Sequence, residues 1–254
     1  MEVGMKKFVA LLMVALILCV GMGAYAQGVG TVQGTLYDSF EENGAQLAVL
    51  EASFPQITGL ADAAVMDSIN EAIRGLILTG GFGAACEYAK DDYAYDPDGF
   101  YFGEYGLWVE AYSTLSSSHY FSVVFAITLG TGGAHPSNWR EARLYSLSDG
   151  KPVGVASLVH DADAFHARIA DAVIASIQQN GLAAKYDYWD NYPEIIAERS
   201  YEMAPTDEGL LVFFNPYDIA PYSSGVQEFL LEFDQLGGEL RNILWPDGSE
   251  GDGQ

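Results

Sequence analysis

Two separated stretches hold the residues best suited to meeting a ligand. The first is glycine-rich, Gly130-Thr131-Gly132-Gly133-Ala134-His135-Pro136, with Trp139 close behind. Gly132 and Gly133 permit a positive φ or a close backbone approach. His135 and Trp139 would add a polar tip and an aromatic face to the rim; read more simply, the same loop only turns the chain out of a central strand. The second stretch is Pro216-Tyr217-Asp218-Ile219-Ala220-Pro221-Tyr222. Its prolines lack an N–H donor and suit a rigid loop at a sheet edge. Tyr217 and Tyr222 are either anchors of that loop through buried hydroxyl bonds or contact residues. If the two loops lie side by side, Gly132, Gly133, His135, Trp139, Tyr217, Asp218 and Tyr222 form one recognition surface.

Bond-making chemistry has less to work with. The chain has no H-E-x-x-H, no G-x-S-x-G and no G-x-x-x-x-G-K-[ST]. Gly130-Thr131-Gly132 would need a glycine at the position of His135 to bind a dinucleotide. The four histidines, His119, His135, His160 and His166, form no H-x-H or H-x3-H ligand pair. An EF-type calcium loop around Asp96-Pro97-Asp98-Gly99 would need Asp and Glu where Ala94 and Tyr105 stand. The residues therefore predict no metal, no cofactor and no identifiable catalytic group. With 35 carboxylates, a hydrolytic acid pair cannot be singled out. Cys19 and Cys86 exclude a disulfide framework and a thiolate zinc cluster. Cys86, in an Ala-Ala-Cys-Glu setting, reads as a small buried residue.

Charge narrows the partners. Of 254 residues, 35 are acidic and 11 basic, a net charge of −24. Nucleic acid is excluded, because phosphate binding needs a surplus of Lys and Arg. Hydrophobic residues reach 50%, enough for a real core.

The N-terminus reads as a targeting segment. Lys6 and Lys7 precede an uncharged apolar run, Phe8 to Val20, and Ala24-Tyr25-Ala26 is a small-residue cleavage site. Residues 1–26 are thus a predicted signal peptide, with an uncleaved anchor as the alternative. A lipobox at Cys19 is opposed by the bulky Leu18. The expected location is extracytoplasmic, secreted or periplasmic, with no membrane contact after cleavage.

The elements that would carry the two loops follow from periodicity. Residues 27–46, Gly-rich at their start, read as a loose leader. Gln46 to Phe54 has strand character. Val65, Ile69, Ile73, Leu76 and Ile77 mark one buried helix face, with Asp62 as its cap and Gly80-Gly81 as its end. Tyr88 to Tyr112, where tyrosines alternate with acids, reads as a hairpin whose rings cover the sheet. Leu107 to Leu115 and Tyr120 to Leu129 are paired strands, the second apolar enough to be covered on both faces. Ala142 to Ser146 is a short strand. Phe165, Ile169, Val173 and Ile177 repeat every four residues, the clearest helix. A short helix begins at Pro193. Ser200 to Met203, Gly209 to Asn215 and Gln227 to Phe233 are the last strands. The expected fold is α+β: a mainly antiparallel sheet packed by two principal helices, in two fused subdomains, 47–150 and 151–244, with a disordered acidic tail at 245–254.

Three motifs in order resemble a known pairing. The first is Ser122-Val123-Val124-Phe125, followed by Gly132-Gly133-Ala134-His135-Pro136 and by Tyr145-Ser146-Leu147-Ser148-Asp149-Gly150-Lys151. The second is the run from Gly209 to Gly225 through Asn215-Pro216-Tyr217-Asp218. The third is Phe54-Pro55-Gln56-Ile57-Thr58-Gly59 leading to Ile69-Asn70. Together they resemble the bacterial extracytoplasmic domain of unknown function 3298 with its N-terminal companion, domain of unknown function 4163, from about Leu47 to Leu240. The resemblance implies an α+β fold at the cell surface. In relatives the pair stands beside a polysaccharide deacetylase or forms the outer part of an anti-sigma factor that binds lysozyme. Neither a deacetylase domain nor a cytoplasmic sigma-binding segment is recognisable in the sequence. The expected function is a binding module for a cationic protein such as lysozyme, or for a cell-wall glycan. The alternatives are an envelope structural protein and, less favoured, a carboxylate-dependent cell-wall enzyme.

Overall fold

The computed structural model describes residues 29–179 and 181–246. The predicted signal peptide and residues 247–254 of the acidic tail lie outside this range. The fold is α+β, as expected, but its first element corrects the leader at 27–46. Strand β1, Gly30–Glu42, pairs antiparallel with β2, Ala45–Thr58, along almost its whole length. Side chains along β1 alternate between exposed and half-buried, the period of a strand with one covered face. Asn43 and Gly44 close the hairpin with φ of 54° and 82°. An Asn-Gly pair favours this two-residue turn because both positions tolerate positive φ. Glycine content concealed the alternation.

After β2 the chain crosses over through two helices, α1 (Ala63–Thr79) and α2 (Phe82–Tyr95), and returns as β3 (Tyr105–Ser116). Because the crossover is helical, β2 and β3 pair in parallel, the one parallel junction in an otherwise antiparallel sheet. Asp62 caps α1 as predicted, its Oδ1 accepting from the Ala64 and Val65 amides at 3.0 and 3.2 Å. The acidic tyrosine-rich stretch is corrected: residues 82–95 are helix, not hairpin, and Ala85 and Ala89 are its buried contacts. Small residues on the inner face let α2 lie close to the sheet, so the aromatic count alone misled. Cys86 sits half-buried on this helix, and burial pushes its thiol up to about 11.

Strand β4 (Tyr120–Thr131) follows β3 in a hairpin. Next come β5 (Ser137–Ser146) and the two-residue β6 (Pro152–Val153), giving a six-stranded sheet in sequential order. Helix α3 (Ala162–Gln179), short helices α4 (Leu182–Lys185) and α5 (Tyr192–Glu198), strands β7 (Glu202–Pro205), β8 (Gly209–Phe214) and β9 (Gln227–Glu232), and helix α6 (Glu239–Leu244) complete the chain. Strands β7–β9 form a separate antiparallel sheet.

The two sheets stack. One face of the six-stranded sheet packs on Ile69, Ile73 and Ile77 of α1. On its other face, Val124 and Ala142 meet Ala204 and Phe213 of the small sheet. Strand β4 is therefore covered on both sides, as its apolar run predicts. The outer face of the small sheet, through Leu210, Val212, Phe214, Phe229 and Leu231, joins Phe165, Ile169, Val173 and Ile177 of α3 in one core. Trp245, assigned to the tail, belongs to that core: its indole meets Phe233 edge-on at 5.7 Å. The small sheet lies mainly over β4 and β5 and reaches part of β3. The β1–β2 side and the neighbouring stretch of β3 around Trp108 stay open on that face.

Candidate functional site

The two loops singled out in the sequence meet. Tyr222 stacks on His135, ring centroids 3.7 Å apart and planes 21° from parallel. Its hydroxyl donates to the Pro136 carbonyl at 2.8 Å and accepts from Asn138 Nδ2 at 2.7 Å. His135 Nδ1 lies 3.1 Å from the same carbonyl. A carbonyl only accepts, so Nδ1 carries the proton in this contact. Two rings thus share one acceptor and clamp the glycine loop to the Pro221-Tyr222 turn.

Tyr217 extends the row. Its ring is 6.1 Å from that of Tyr222 and 59% exposed. Its φ is 73°, a left-handed conformation that bulky residues avoid. The loop holds it there through Tyr217 N–H to Ala220 C=O at 3.0 Å and Asp218 N–H to Asn215 C=O at 2.9 Å. Strain retained at an exposed ring is a mark of functional sites. Asp218 serves the loop rather than the surface: its carboxylate accepts from the Asn215 amide at 2.7 Å and pairs with Arg199 at 3.0 Å.

The glycines divide. Gly132 has φ of 76°, and a Cβ there would run into the Tyr105 ring, whose hydroxyl donates to Asp92 at 2.7 Å. Its role is close packing. Gly133 has neither a positive φ nor a crowded Cβ position. Trp139 does not join the surface. Strand β5 begins at Ser137, so Asn138 and Arg140 face the small sheet's side while Trp139 points the other way, onto the core between the large sheet and α1.

Sequence reasoning missed the residues that connect the site to the sheet. Register aligns Tyr37, Glu51, Trp108, Thr128 and Asn138 across β1 to β5 on the open face. From the middle of that row a hydrogen-bond chain leads to the loops: Thr128 donates to Asn138 at 2.8 Å, and Asn138 donates to Tyr222. Beside it, Arg140 pairs with Glu228 at 3.2 Å. The Tyr112 phenol is raised by burial and by the Glu228 carboxylate, with Arg140 opposing. Period-two alternation was the available signal, but only strand order shows which alternating residues become neighbours. Among the described residues no cluster of three His, Cys, Asp or Glu side chains could hold a metal ion. Among them, too, no helix is long and apolar enough to cross a membrane.

Comparison with known proteins follows the fold. A member of the DUF3298 family from Bacteroides fragilis, solved by crystallography, superposes with a TM-score of 0.62. It is 16% identical over 85% of this chain and 99% of its own. A DUF3298 family protein from Pseudomonas aeruginosa PAO1 gives a TM-score of 0.57 at 16% identity, covering 83% of this chain and 96% of its own. No curated protein matches. The sequence model of the family described as protein of unknown function (DUF3298) matches residues 156–234. That span holds α3, the small sheet and the Tyr217–Tyr222 loop, while the His135 loop lies outside it. The chain therefore carries a DUF3298 domain at residues 156–234, within a fold similar to that of solved DUF3298 family proteins.

Proposed function

We propose that this protein is an extracytoplasmic binding module for a cationic protein, lysozyme-like in charge. The observation that carries this reading is the ring row His135–Tyr222–Tyr217, rigidly held and ending in a strained, exposed tyrosine. Rigid aromatic side chains dominate the energetics of protein interfaces. The net charge of −24 supplies a field that draws basic proteins and repels nucleic acid. The predicted signal peptide supports an extracytoplasmic location. The resemblance of residues from about Leu47 onward to domain of unknown function 4163, and of the pair to the outer part of lysozyme-binding anti-sigma factors, supports the choice of partner. A cell-wall glycan is the second reading, favoured by the flat stacked pair His135–Tyr222, which offers a platform for a sugar ring.

Surface-plasmon measurements with lysozyme across a salt series test the proposal. Raising salt should slow association, while Tyr217→Ala or Tyr222→Ala should speed dissociation. Absence of binding at low salt, or binding indifferent to both tyrosines, would leave an acidic envelope protein with no such site.

A further inference from the structure

The open part of the large sheet, beside the small one, forms a groove of about 870 Å³, walled on one side by Gly225, Val226 and Glu228. On its floor the register sets Tyr37, Glu51 and Trp108 next to one another on three adjacent strands. Glu110 stands two residues beyond Trp108 on the same face. The indole lies across a glycine pair. Gly106 and Gly130 are partners in the β3–β4 ladder, and a Cβ at either would stand 2.9 or 3.1 Å from the Trp108 ring. A side chain at either position would crowd the far end of the indole, so the glycine pair leaves the ring room against the sheet, and Trp108 lines the groove.

The charges around this ring are uncompensated. Among the described residues neither Glu51 nor Glu110 has an ion-pair or hydrogen-bond partner, and both are exposed. The one basic side chain lining the groove, Arg140, is engaged with Glu228. Trp108, with Glu51 beside it on the neighbouring strand and Glu110 two residues along its own, complements a long cationic side chain: the indole offers an apolar, π-rich surface to it, and charge-assisted hydrogen bonds hold its head.

We propose that this groove receives a Lys or Arg side chain from an extended basic segment of a partner protein. The aliphatic stem lies on Trp108, and the charged head sits between Glu51 and Glu110. Asn138 links the groove to Tyr222, so one partner could span both. The inference rests on the reading of a cationic partner and adds the place and chemistry of its contact.

Calorimetric titration of the whole protein with a short oligolysine peptide, the same peptide N-acetylated on its side chains, and a chitin oligosaccharide tests it. Oligolysine should bind and the acetylated peptide should not. Trp108→Ala should weaken binding about three- to thirtyfold. Glu51→Gln with Glu110→Gln, conservative and exposed, should weaken it about tenfold even if the Trp108 variant misfolds. The distant, charge-matched pair Asp207→Asn with Glu208→Gln should change it less than about twofold. Equal loss in the distant pair would mean diffuse attraction and overturn the groove. So would Trp108-dependent binding of the oligosaccharide or the acetylated peptide. Lysozyme capture that depends on Tyr217 and Tyr222 but ignores the groove variants would overturn this inference while leaving the binding-module reading in place. Failure of both oligolysine and lysozyme to bind would overturn both readings.

Discussion

Asn215 pairs with Arg140 through its side chain as a strand would through its backbone. Its Oδ1 accepts the Arg140 amide at 2.7 Å and its Nδ2 donates to the Arg140 carbonyl at 3.2 Å. Two residues along β5, the Ala142 amide donates to Glu202 at 2.9 Å. The free edge of β5 is thereby satisfied from the small sheet, and this seam sets the height at which the Tyr217 loop meets His135. Asn70 does the same for β2, bonding the Ile57 amide at 2.8 Å and its carbonyl at 3.1 Å. Asn215→Ala should cost about 1–3 kcal/mol, since it leaves two backbone groups without partners. Urea denaturation measures this, and an unchanged midpoint would show that water replaces the amide freely.

Ile169 is 1% exposed in the core between α3 and the small sheet. Ile169→Ala should lower stability by about 2–5 kcal/mol. The same denaturation experiment checks it, and a loss near zero would mean that the helix face is not core.

The adjacent glycines of the His135 loop should respond differently. Gly132→Ala forces a left-handed residue to carry a Cβ against Tyr105 and should cost at least about 1 kcal/mol. Gly133→Ala should stay within about 0.5 kcal/mol of the parent protein. Comparable losses at both would locate the constraint elsewhere.

Cys86 gives a prediction in pH. Its thiol is pushed from 9.0 to about 11 in the folded protein, first by burial and then by Asp38. The folded state therefore keeps its proton where the unfolded chain has lost it. Its contribution to stability is complete below pH 9 and declines as pH rises toward 11. Cys86→Ala should flatten that part of the stability profile relative to the parent, measured by thermal melts in alkaline buffers. At pH 8 a thiol reagent should label the native protein slowly and the denatured chain quickly.

Periodicity alone determined α1, α3 and the apolar strand β4, because burial of one face or both leaves a pattern in a single stretch of chain. The capping by Asp62 and the stop at Gly80 were legible for the same local reason, and so was the α+β class. Proximity of the two loops was anticipated from their glycines and prolines. Their joining rests on Tyr222, whose partners Pro136 and Asn138 are more than eighty residues away. Composition misled where two signals overlapped. Glycines masked the alternation of β1, and tyrosines masked the small-residue face of α2. Trp139 shows the limit for the site. A shift of β5's start from Ala142 to Ser137 decides which residues share a face, and register is set by neighbouring strands. The row Tyr37–Glu51–Trp108 lay beyond sequence reading altogether. Its members come from three strands, two of them paired in parallel across a helical crossover. Only the tertiary fold, by leaving part of one sheet uncovered, turns their alternation into a groove.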